Sequence, residues 1–115
     1  MTYGGNALDW AVVKAIGKDA QLSVGGYGVL VKEGDFASYF TPSTNWGHAG
    51  PLFDEYKVSL QRHSSNLVTA TIVTGEHDSG QVSSGIAKYA ITAGLHAIVR
   101  WKLGESVAIP KELVV

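Results

Sequence analysis

Residues able to do chemistry gather in one stretch of this chain, FTPSTNWGHAGP, from Phe40 to Pro51. Ser43, Thr44, Asn45 and His48 offer hydrogen-bond donors and acceptors there, and Trp46 offers a flat face for stacking. Tyr39 and Phe40 stand ready to wall one side. An apolar surface with a few convergent polar groups is the composition that small-molecule pockets use. The same residues are also common turn and capping types, and a buried Trp46 would only pin the loop to the core. Ligand or partner contact and plain connection are both open at this point, and the exposure of Trp46 decides between them.

Other motifs carry less. Gly26-Tyr27-Gly28-Val29-Leu30-Val31 begins like a dinucleotide fingerprint, but Val31 stands at the third glycine position. The segment also leads into β-prone residues, so no helix N-terminus is there to hold a pyrophosphate. A glycine-rich hairpin turn is the better reading, and no cofactor is expected. Glu76-His77-Asp78 sets acid, base and acid side by side, yet three consecutive residues do not converge on one ion in an ordinary turn. His48, His63, His77 and His96 are far apart in sequence, and no two stand at helical ligand spacing. A serine nucleophile would need a histidine base and an orienting acid, for which His48 and Asp54 are available. No Gly-x-Ser-x-Gly elbow supports such a triad. A small hydrolase or transferase using His48 with an acidic neighbour therefore stands as the alternative to a binding protein.

Whatever these groups do, a single domain must position them. At 115 residues, with 45% hydrophobic and 17% charged, the chain has the size and composition of one domain with a real core, residues 1–115. There is no cysteine, which excludes a disulfide framework and a zinc–thiolate site and fits a reducing compartment. The start, MTYGGNALDW, lacks the basic and then apolar pattern of a signal peptide. The longest apolar-leaning segment, Ile86 to Leu103, is broken by Lys88, His96, Arg100 and Lys102, so no membrane span is predicted. Net charge is −1 and the basic residues are scattered, so a nucleic-acid partner is not expected.

Periodicity supplies the elements. Asn6 is placed to cap a helix from about Ala7 to Ile16, with Leu8, Val12, Ala15 and Ile16 on one face and Gly17 as its stop. Trp10 lies off that face, as a second packing surface or an exposed anchor. Leu22 to Val24 and Val29 to Val31 read as a hairpin or a bulged strand, and the loop follows from about Thr41 to Pro51. The best-defined hairpin joins the alternating run Tyr56 to Gln61 to the β-branched run Leu67 to Thr74. A polar turn over residues 75–80 leads to a long helix capped by Ser83 or Ser84 and running to about Leu103. Its stripe is Ala87, Ile91, Gly94, Leu95, Ile98 and Lys102, and Gly104 stops it. Val107 to Ile109 reads as a closing edge strand beside Pro110. The predicted class is α+β, with two helices packed on one face of a mainly antiparallel sheet of about four to five strands.

Three blocks, LDWAVVKAIG, YFTPSTNWGHAGPL and LHAIVRWKLGESVAIPKEL, together resemble the NinX-like family of small phage and prophage proteins, a domain of unknown function. Leu8 to Val12, Tyr39 with Pro42 to Trp46, Gly50-Pro51, Lys102-Leu103-Gly104, and Val107 with Pro110 to Leu113 occupy the family positions. Asn45 stands where the family commonly has Asp, and His96 where it commonly has Arg. The resemblance brings no catalytic residues. It implies a phage accessory protein in the cytoplasm of an infected or lysogenic bacterial host, non-enzymatic, binding a small ligand or a host protein. On that reading the contact surface comprises Tyr39, Ser43, Thr44, Asn45, Trp46 and His48, with His96 and Arg100 of the last helix beside it. A homodimer formed through an exposed apolar patch is a third reading.

Overall fold

The computed structural model describes residues 5–23, 28–74, 81–104 and 109–110. Among them run helix α1 (Gly5–Ala15), strands β1 (Asp19–Leu22), β2 (Val29–Glu33) and β3 (Phe36–Tyr39), and helix α2 (Trp46–Glu55). Then follow strands β4 (Ser59–Ser64), β5 (Leu67–Thr74) and β6 (Gln81–Ala87), and helix α3 (Ala90–Leu103). The α+β class holds, but the arrangement differs from the one predicted. Three helices accompany two separate three-stranded antiparallel sheets, β1-β2-β3 and β4-β5-β6, in place of two helices on one larger sheet. No helix among the described residues is long and apolar enough to cross a membrane.

α3 is the centre. Ile91, Ala93, Gly94, Leu95, His96, Ala97, Ile98 and Val99 are all buried, as expected of a helix enclosed on every side. One side lies on the second sheet, where Val68, Ala70 and Ile72 of β5 face inward. Gly85 of β6 sits directly beneath Ala93, His96 and Ala97. Another side meets α2, whose Phe53 ring lies over Gly94. Both glycines are there because a Cβ would occupy space already filled.

α1 is apolar on two opposed faces. Leu8, Ala11, Val12 and Ala15 join the α3 core, while Ala7 and Val13, with Trp10 against them, join a second cluster with Ala20, Val29 and Val31 of the first sheet. Trp10 is thus a second packing surface. Asp9 is 1% exposed and lies at the seam between the two faces. The helix begins at Gly5, so Asn6 is in its first turn and is not the cap. Gly17, at φ 78°, ends it as predicted, with Lys18 N–H donating to Val13 O at 3.1 Å.

The first hairpin, β1–β2, forms, but its first strand runs from Asp19 to Leu22, ahead of the predicted Leu22 to Val24, and β3 extends it to a sheet. The hairpin β4–β5 forms, but β4 runs from Ser59 to Ser64, three residues later than the predicted run from Tyr56, because Tyr56 closes α2; the register shifts between Arg62 and Ser64. The helix predicted from Ser83 or Ser84 is instead a strand at that point: β6 pairs with β5 from Gln81 to Ala87, and α3 starts only at Ala90. Ala87 therefore leaves the helical stripe, and Lys102, at its other end, is exposed. Tyr89 precedes α3 without a side-chain capping bond, so no capping signal marks the true start. Gly104 stops α3 at φ 81°. The closing strand lies mostly outside the described residues. Ile109 is in no strand and packs against both clusters. The polar turn at residues 75–80 and the glycine run at 24–27 also lie outside the described residues.

Candidate functional site

The stretch predicted as a loop is half helix. Asn45 caps α2, its Oδ1 accepting from Gly47 N–H at 2.8 Å, and Trp46 is the first helical residue. Ala49, Leu52, Phe53 and Tyr56 make the apolar face at spacings of three and four, and the first three are buried. Pro51 lies inside the helix, where it removes one backbone donor. α2 ends in a Schellman arrangement. Val58 N–H donates to Phe53 O at 2.9 Å, Lys57 N–H to Asp54 O at 3.4 Å, and Lys57 takes φ 57°.

Between β3 and α2 the turn is anchored from three directions. Pro42 is fully buried. Ser43 N–H donates to Asp9 Oδ1 of α1 at 2.8 Å, and Ser43 Oγ reaches Gly5 O at 3.3 Å. Thr44 N–H donates to Thr41 O at 3.1 Å. Thr41 N–H donates to His48 Nδ1 at 3.0 Å, and the ring stacks on Phe40 at 5.1 Å between centroids. Two of the sequence blocks, Leu8-Asp9-Trp10 and Pro42 to Trp46, are therefore joined by a direct bond.

Asp9 is the residue the sequence reading missed. Burial pushes its carboxyl up to about 6; the bonds from the Ser43 backbone and side chain, and the nearby His48, pull the other way and are outweighed. The signal was present as a lone carboxylate in an otherwise apolar helix, LDWAVV, where a buried acid needs a partner.

Placement of the predicted site residues follows. Ser43, Asn45 and His48 have polar atoms already bonded within the turn, at the Ser43 amide, Asn45 Oδ1 and His48 Nδ1. Thr44 is exposed, with Oγ1 3.5 Å from Thr41 O. Tyr39, 60% exposed, lies over Gly28, just ahead of the neighbouring strand β2. Trp46 is 54% exposed and touches Phe53 edge-on at 5.5 Å, so it does not pin the loop to the core. His96 is buried against β6, and Arg100 follows one turn later on that side of α3, whereas α2 packs at Gly94. The fold does not bring this pair to the α2 side of the helix. Asp54 is exposed and six residues from His48 on α2, which turns it to a different side of the helix. The described residues contain no cluster of three His, Cys, Asp or Glu able to hold a metal ion.

Asn45→Ala is expected to cost about 1 kcal/mol, the usual value of a lost helix cap, read as a shift of the urea midpoint. Asn45→Asp should be near neutral, because aspartate caps equally well.

Comparison with known proteins adds one match. Residues 3–102 fit the family model described as Bacteriophage P22, NinX. No curated protein matches the chain.

Proposed function

The chain belongs to the Bacteriophage P22 NinX family, and from that membership and the site's geometry we propose that it is a phage accessory protein that binds a host protein through the turn and first helical residues from Tyr39 to Gly50. The observation that carries this reading is Trp46, an indole more than half exposed on the first turn of a helix whose cap and preceding turn are held by several hydrogen bonds. Large aromatic side chains on a rigid support, with little ordering cost left to meet, are what protein interfaces use as anchors. Much of the polar capacity of Ser43, Asn45 and His48 is spent on the turn, leaving Tyr39 and Trp46 as its large exposed apolar side chains. That balance favours an apolar protein contact over recognition of a polar small molecule. Such a protein would act in the cytoplasm of its bacterial host.

Retention of host proteins on the immobilised chain, followed by titration calorimetry with the purified partner, tests the assignment. Trp46→Ala is expected to abolish the interaction while changing stability by less than about 1 kcal/mol, as for other partly exposed positions. Undiminished binding by Trp46→Ala and Tyr39→Ala would remove the turn from the interface.

Triad chemistry at His48 finds no support in the geometry. Its Nδ1 accepts an amide proton where a general base would donate to an acid, and the nearest buried acid, Asp9, bonds the Ser43 amide.

A further inference from the structure

The free edge of β3 is uncharged, aromatic and exposed along its whole length. β3 bonds β2 on one side: Phe40 N–H donates to Val29 O, and the register pairs Leu30 with Tyr39 and Lys32 with Ala37. Backbone groups alternate sides along a strand, so Ser38, like Phe40, points to β2, while Ala37 and Tyr39 point outward. Among the described residues nothing pairs with that outward side. Strand edges are normally guarded by charge, proline or a bulge. β1 carries Asp19, and β4 carries Arg62, His63 and a register shift. β6 is uncharged as well, with Gly85 packed face-on against α3. β3, Phe36-Ala37-Ser38-Tyr39, is short but carries no charge, proline or bulge, and all four residues are exposed, Phe36 by 82%.

We propose that β3 pairs antiparallel with β3 of a second copy of this chain, joining the two first sheets into one six-stranded sheet about a two-fold axis at Ser38. The register follows from the backbone. Only the alignment that sets Ala37 opposite Tyr39 of the partner subunit uses both outward residues of each strand in hydrogen-bonded pairs. Ser38 then faces Ser38 of the partner subunit in a non-hydrogen-bonded pair, where side chains approach most closely. Shape agrees with this register, because on the outer face each Tyr39 lies across a small Ala37. On the inner face Phe36 of the partner subunit comes opposite Phe40, whose ring already stacks on His48. The partner thereby contributes an aromatic to the candidate site, and the exposed Phe36 acquires a neighbour. Charge also agrees. Antiparallel pairing carries Asp35 away from Asp35 of the partner subunit, whereas parallel pairing would set them side by side. A second copy suits this edge because the strand is complementary to itself. The inference stands apart from Trp46, which lies outside the paired strands; Tyr39 is the residue the two readings share, so Trp46→Ala tests the host contact alone and Ala37→Pro the dimer alone.

Sedimentation equilibrium over a range of concentrations, with single-cysteine cross-linking, tests it. The natural chain has no cysteine, so Ser38→Cys gives one unambiguous thiol per copy. A non-hydrogen-bonded antiparallel pair lies within the Cα separation a disulfide spans. Ser38→Cys is expected to form a disulfide dimer under mild oxidant much faster than Ser59→Cys on β4. Ala37→Pro deletes an outward N–H and leaves the β2 bonds intact, so it should weaken the dimer by about tenfold or more with an unchanged far-ultraviolet spectrum. A wild-type chain that stays monomeric to its solubility limit would overturn the proposal. So would a dimer unaffected by Ala37→Pro, or Ser38→Cys cross-linking no faster than the β4 control.

Discussion

Gly85→Ala is expected to destabilise the protein by about 3 kcal/mol, at the upper end of overpacking costs. A Cβ at this position of β6 would collide with Ala93 O and lie 2.8 Å from Ala97 N and 3.0 Å from His96 Cβ. Two of those atoms are backbone of α3, and no rotamer change moves them. Relief requires lifting the central helix off the sheet, and its other faces are held by α1 and α2. Gly94→Ala is the useful contrast. There the obstacle is the Phe53 ring, with Cε atoms 2.7 Å from the added carbon. A ring can slide, and alanine also gains about 1 kcal/mol of helix propensity over glycine. Gly94→Ala should therefore be the milder change. Urea denaturation of both variants measures the order. A Gly85→Ala loss below about 1 kcal/mol would mean that α3 and β6 are not in the close contact described.

The stability of the protein is expected to depend on pH through Asp9 in the direction opposite to a salt-bridged carboxylate. Folding removes this carboxyl from water, and its pKa rises to about 6. The folded state then holds the proton more tightly than the unfolded chain does. Stability from this group is complete below the ordinary carboxylate range and is lost as pH rises through about 6. A shift of roughly two units corresponds to about 3 kcal/mol across that window. Asp9→Asn keeps the oxygen that accepts from Ser43 N–H and cannot ionise. Relative to wild type, the variant should gain about 3 kcal/mol between about pH 4 and pH 7. Paired urea titrations across that range give the difference directly. A difference that does not change with pH would show that Asp9 is not desolvated in the folded state.

Elements with strong periodicity were legible in the sequence. The first helix and its Gly17 stop, the hairpin of β4 with β5, and the Gly104 stop each follow from local residues. α2 was hidden because Gly47, Gly50 and Pro51 suggested a loop, although Ala49, Leu52, Phe53 and Tyr56 carry a helical period. β6 was absorbed into α3 because Ser83 and Ser84 look like caps, and because the real helix start at Tyr89 has no capping bond. The division into two sheets was not legible, since it depends on α1 presenting two apolar faces to distant segments. At the site, Ser43, Asn45 and His48 stood out in the sequence for their hydrogen-bonding capacity. Composition could not tell whether their hydrogen bonds turn inward or outward, and the structure shows bonds directed into the fold. The exposure of Trp46 likewise depends on its place at a helix start, which the loop reading had missed.

α1 also sets an order of events during synthesis. Its first-sheet face finds Ala20, Val29 and Val31 within the first third of the chain, so that small cluster can assemble early on the ribosome. Its other face, Leu8, Ala11 and Val12, belongs to the core built around α3 and waits for that late helix. Until α3 has emerged, the growing chain displays that greasy stripe to every chaperone and protease in the cell. The two-faced helix that unites the finished domain is, in the unfinished one, its most vulnerable surface.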